Sequence, residues 1–132
     1  MTRAMSTSEQ IETHSFESAR AKAYLADFLE DPTLDFIEDT FEYDVDDLGE
    51  TTEALLAAEL VAALMGSPAA AMPDAVKAAC KGKPVPNKKL MTKTRAAVRA
   101  ALDEKSAIRQ HWTEQGLEPW LGAVKNLLDR LT

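Results

Sequence analysis

The sequence predicts an all-α fold, an irregular single-domain bundle of about five to seven helices. Three observations carry this expectation. Apolar residues recur at three- and four-residue spacing through most of the chain. Helix start signals (Ser, Asp or Asn) precede these stripes and stop signals (Gly or Pro) follow them, dividing the chain into pieces of helical length. Strand signals are lacking: polar–apolar alternation is absent, β-branched residues are sparse, and no repeat of solenoid period occurs.

Taken in order, Ser15 is a cap for a helix from Phe16 to about Glu30, with Phe16, Ala19, Ala23, Tyr24, Leu25, Phe28 and Leu29 as its apolar stripe. Asp31-Pro32 reads as a restart, since proline suits a first helical position whose N–H is unpaired anyway. The second helix carries Leu34, Ile37 and Phe41 and gives way to a loop from Tyr43 to Gly49. The third, Glu50 to Met65, is rich in Ala and Leu and stops at Gly66-Ser67-Pro68. A short helix follows Met72-Pro73-Asp74 and reaches about Cys80. Gly82, Pro84 and Pro86 enforce an extended connector. Asn87 then caps a long helix whose inner side is Leu90, Met91, Thr94, Ala97, Val98, Ala101 and Leu102. Asp103 to Ser106 forms a joint, Ile108 and Trp112 lie on a helix ending near Gly116, and the last helix begins at about Glu118. Residues 1–14 are expected to be a flexible tail and residues 15–132 the single helical domain.

Composition narrows the function classes. At 45% apolar residues the chain has material for a core without disulfides, and its single Cys80 permits no disulfide framework, as in a reducing compartment. Cys80 reads as a small apolar residue, although Lys77 and Lys81 beside it would favour the thiolate. The longest nearly apolar run, Ala54 to Met65, falls short of the about 20 residues that span a bilayer. The N-terminal residues resemble neither a signal nor a transit peptide, so the expected location is the cytoplasm.

Charge is segregated. Fourteen acids and two bases lie between Glu17 and Glu59, and ten bases and two acids between Lys77 and Arg109. The net charge of −7 argues against direct nucleic-acid binding. The basic connector around Lys81, Lys83, Lys88 and Lys89 also has no aromatic residue for base stacking.

No nucleophile elbow, phosphate-binding loop, dinucleotide fingerprint or zinc-protease motif occurs. His14 and His111 have no helical partner; the one reads as a capping residue and the other as a half-exposed helix residue. The Asp44–Glu50 loop imitates the start of a calcium-binding loop, but with Gly49 at position six the bidentate position falls on Leu55, which cannot ligate. No catalytic residue, metal or cofactor is assigned. Glu59, set in the apolar run, is expected at the edge of the core with its face reaching solvent.

The acids of the second helix stand out. Asp35, Glu38, Asp39 and Glu42 fall on the side away from Leu34, Ile37 and Phe41, and Asp44, Asp46 and Asp47 follow. As four like-charge pairs of roughly 0.2–0.5 kcal/mol each, the helix acids cost about 1–2 kcal/mol. Either they face the basic helices between Lys88 and Arg109 or are merely solvated, or they form a docking surface for a basic protein.

The order of features also resembles a known family. Ser15-Phe16-Glu17, the helix Ala54-Leu55-Leu56-Ala57-Ala58-Glu59-Leu60-Val61-Ala62-Ala63-Leu64, the turn Met65-Gly66-Ser67-Pro68, Met72-Pro73, and Glu104-Lys105-Ser106 followed by His111-Trp112-Thr113-Glu114 and Trp120 are similar to the bacterial family of domain of unknown function 4259. Thr7 to His14 lacks the glycine- and tryptophan-rich opening of that family. The resemblance implies a compact helical domain and no catalytic residues.

The leading expectation is therefore a non-enzymatic protein-binding domain. It would be an immunity protein that neutralises a cytoplasmic-acting bacterial toxin, a basic protein such as a nuclease, through Asp35, Glu38, Asp39, Glu42, Asp44, Asp46 and Asp47. Two alternatives stand beside it: a small helical enzyme or ligand-binding domain with its site near Glu59 and His111, and a subunit that self-associates through Trp120, Val124 and Leu127.

Overall fold

The computed structural model describes Phe16 and residues 18–132. Among these, seven helices and no strand occur: α1 (Ala19–Glu30), α2 (Leu34–Thr40), α3 (Leu48–Leu64), α4 (Asp74–Cys80), α5 (Lys88–Leu102), α6 (Ala107–Gln115) and α7 (Leu117–Arg130). The all-α expectation holds. The expected tail, with Ser15 and His14, lies outside the described residues.

α3 is the axis of the molecule and packs against each of the other six helices. Its residues dictate this. Ala54 to Ala62 is buried without interruption, so the helix is apolar on all sides and stable only when surrounded. Its alanines let neighbouring backbones come close, while Leu55, Leu56, Leu60 and Val61 fill the gaps. α5 brings Met91, Val98 and Ala101 to the same core, and α7 brings Trp120, Val124 and Leu127, with Leu131 beyond its end. The face proposed for self-association is thereby spent inside the chain: Trp120, Val124 and Leu127 are fully buried.

Caps account for the helix ends and correct several expected ones. Ser18, three residues later than the predicted cap, accepts the N–H of Ala21 and starts α1. The buried residues of α1 are Ala21, Tyr24, Leu25 and Phe28, a regular helical stripe that leaves Ala19, Ala23 and Leu29 exposed. Asp31 closes α1 instead of opening α2, because its N–H bonds back to Asp27 and Phe28. Thr33 takes the capping role by accepting the N–H of Phe36. α2 ends at Thr40, so Glu42 lies beyond it. Only the Asp35–Glu38 and Asp35–Asp39 pairs are then true helical neighbours, and the expected like-charge penalty is halved.

α3 begins at Leu48, with Gly49 helical rather than in the loop. Arg20 lies over Gly49, where a Cβ would stand 2.5 Å from the guanidinium carbon, and pairs with Glu53 at 2.9 Å. At its other end Gly66, at φ +93°, lets Ser67 N–H reach Ala62 O and Gly66 N–H reach Ala63 O, a paired closure that a left-handed residue makes possible. Asn87 caps α5 as expected, accepting the N–H of Leu90 at 2.8 Å. In the joint, buried Ser106 donates to Ala101 O and accepts the N–H of Arg109, so one hydroxyl ends α5 and starts α6.

Candidate functional site

The acids chosen from the sequence divide into three groups. Asp44 and Asp47 serve the local backbone. Asp47 Oδ1 accepts the N–H of Glu50 and caps α3, while Asp44 Oδ1 accepts the N–H of Asp46. Glu50 reaches back to accept the N–H of Asp44 at 3.0 Å, which ties the loop to the helix it precedes. Glu38 faces the basic half of the chain, its Oε2 2.7 Å from Lys93 Nζ on α5. The hydrogen bond and charge of Lys93 hold the Glu38 carboxyl below its ordinary range, and Glu38 raises Lys93 in turn, with Glu42 and Asp39 adding to the effect. Both side chains are about one-third exposed, so solvent screens the pair and it is a weak clasp. The expectation that the acids face the basic helices is met by Glu38.

Asp35, Asp39, Glu42 and Asp46 are exposed and make no side-chain hydrogen bond or ion pair with a described residue. Asp35 and Asp39 do something the sequence reading missed. Together with Asp27, Asp31 and Glu53 they line a groove of about 420 Å³ between α1 and α2. Its remaining lining is Tyr24, Phe36 and Thr40. The Tyr24 and Phe36 rings meet at 5.2 Å between centroids, and Phe28 meets Phe36 at 5.9 Å, which fixes the two helices in place. Thr40 Oγ1 donates to Phe36 O, so the 2.7 Å contact with Tyr24 is made by the phenol donating. Burial pushes the Tyr24 phenol above its ordinary value, and Tyr43, which donates to Ala97 O, is raised by the same cause.

Asp27 and Asp31 were legible in one respect. Asp27, Asp31, Asp35 and Asp39 recur every four residues. The spacing crosses the break at Pro32, which is why a helix-by-helix reading separated them. Glu42, Asp44, Asp46 and Asp47 do not line the groove.

Glu59 corrects the edge-of-core expectation. It is 1% exposed and meets Arg130 in a two-pronged pair, Nη1 to Oε1 at 2.9 Å and Nη2 to Oε2 at 3.1 Å. Arg130 also donates to Ser67 O and to Asn126 Oδ1, so the pair joins α3, the turn after it and α7. A cleft of about 320 Å³ beside it is lined by Glu59, Arg130, Asn126 and small residues, and His111 is not among them. His111 is exposed on α6, its ring edge-on to Trp112 at 5.2 Å. The structure does not bring the two proposed site residues together. Cys80 is buried; desolvation raises its thiol and outweighs the lowering by Lys83.

The sequence model of the family described as "Domain of unknown function (DUF4259)" matches residues 11–123. The chain belongs to this family. In this DUF4259 domain the matched span holds α1 to α6, the acidic groove and Glu59, while Arg130 lies beyond it. No curated protein and no solved structure matches the chain. Among the described residues no three His, Cys, Asp or Glu side chains converge as a metal set, and no helix is long and apolar enough to cross a membrane.

Proposed function

We propose that this DUF4259 domain is a non-enzymatic binding protein whose acidic face docks a basic protein. In this reading it is an immunity protein that neutralises a bacterial toxin in the cytoplasm, with a nuclease as the fitting target because its own substrate is a polyanion. The observation that carries the reading is the groove between α1 and α2, where five carboxylates gather and, among the described residues, only Glu53 forms an ion pair, with Arg20. Like charges gathered with few ion pairs raise the potential at one place and speed the encounter with a cationic surface.

The face divides the work among its acids. Asp35 and Asp39, with Asp27 and Asp31, supply the attracting field. Glu42 and Asp46 extend it, while Glu38, Asp44 and Asp47 hold the scaffold.

The test is a low-salt capture from the native lysate with two baits, the wild type and Asp35→Lys/Asp39→Lys/Glu42→Lys, eluted with a salt gradient. One dominant basic protein that is retained by the wild type, released by salt and lost from the variant is the expected result. Equal retention by both baits, or no basic partner, overturns the reading.

A further inference from the structure

Beside the acidic groove lies a second opening. A cleft of about 390 Å³ separates the α1–α2 turn from the connector between α4 and α5. Phe28 and Ile37 are buried in it and Leu64 nearly so, while Pro84, Asp35 and Lys83 are exposed and stand at its mouth. The volume is that of a ligand pocket, for which about 300–1,000 Å³ is usual. The lining is mainly apolar, with one acid and one base at the edge. Asp35 also lines the acidic groove, so the two openings share a wall.

We infer that the cleft receives one apolar side chain of the basic partner, whose cations lie in the adjoining groove. This rests on the docking role proposed above and adds the anchor that charge alone lacks. An acidic surface hastens encounter with any cation, whereas an apolar side chain seated in a pocket slows departure and selects among partners. The charges at the mouth give the occupant a direction. Lys83 repels cations on its side, while Asp35 and, further along, Asp39 attract them. The matching segment carries Leu, Met, Ile or Phe with Lys or Arg on one side only.

The test is selection of a random nonapeptide display library against the full-length protein, followed by titration of the enriched peptide into protein with labelled Ile and Leu methyls. The expected consensus is one fixed apolar position flanked on one side by two or more basic residues. Replacing that apolar residue by Ala should weaken binding by roughly tenfold, and the Ile37 and Leu64 methyl signals should shift. Selection against Pro84→Trp, which crowds the mouth from the exposed connector, should lose the fixed apolar position and keep the basic ones. Basic peptides with no fixed apolar position would overturn the anchor and leave the acidic docking face standing. Apolar peptides without basic residues, or no enrichment, would overturn both. Self-association in sedimentation that Pro84→Trp abolishes would give the cleft to a second copy of the chain and overturn the inference.

Discussion

Glu59 sits where a lone carboxylate would be ruinous, inside the most apolar helix of the chain, and Arg130 makes that position tenable. Charge and geometry are matched there: the planar fork of Arg130 meets both carboxylate oxygens and still reaches Ser67 and Asn126. Removing Arg130 strips the two-pronged pair from a carboxylate that is 1% exposed. Arg130→Met should lower unfolding free energy in urea by about 3–5 kcal/mol, and adding Glu59→Leu should recover most of the loss. The clasp between Glu38 and Lys93 behaves differently because both ends are wet. Glu38 is held below its ordinary range, so its contribution is present above the unfolded carboxyl value and fades as pH falls through the lowered folded one. Lys93 is raised, so its share is present below the ordinary lysine value and fades as pH rises through the raised one. The carboxyl-carbon NMR titration of Glu38 should show a depressed midpoint that returns toward the ordinary value in Lys93→Ala. An unchanged midpoint would mean the contact does not form in solution.

At the scale of the element, five of the seven helices start from a side-chain cap, Ser18, Thr33, Asp47, Asn87 and Ser106; of these only Asn87 is the cap expected from the sequence, and the boundary errors trace to which polar residue wins. Asp31 looked like a cap, but its N–H was needed to close α1, and Thr33 was left to start α2. Asp44, Asp46 and Asp47 looked alike as surface acids, yet only Asp47 stands where the orphan N–H groups of α3 emerge. Asp47→Ala should therefore destabilise the protein by about 1 kcal/mol in urea unfolding, while Asp46→Ala should change it by less than about 0.5 kcal/mol. Similar losses from both would return Asp47 to the docking surface and remove its capping role.

At the scale of the whole molecule, one ion pair among the described residues, Glu38 to Lys93, joins the acidic and basic halves, and Asp35 and Asp39 of the groove stay exposed. Folding therefore does not consume the charge that the sequence sets aside. Replacing Asp35, Asp39 and Glu42 by lysine adds two charges at each position and takes the net charge from −7 to −1. None of the three is bonded to a described residue, so the urea midpoint should move by no more than about 1 kcal/mol equivalent. Unfolding of this variant would place these acids in the fold and withdraw them from binding.

The sequence by itself determined the helical class, the stop at Gly66, the cap at Asn87 and the inner face of α5, because these follow from spacing and from backbone chemistry within a few residues. It also carried the four-residue recurrence of Asp27, Asp31, Asp35 and Asp39. Tertiary structure decided what those residues share. The partner of Glu59 lies 71 positions away, a separation no local pattern encodes. The groove exists because Tyr24, Phe28 and Phe36 hold α1 against α2 across a proline break, and the apolar cleft exists because a connector some fifty residues further along closes its far side. Spacing along a helix fixes which side chains share a face; only packing between helices fixes which faces share a space.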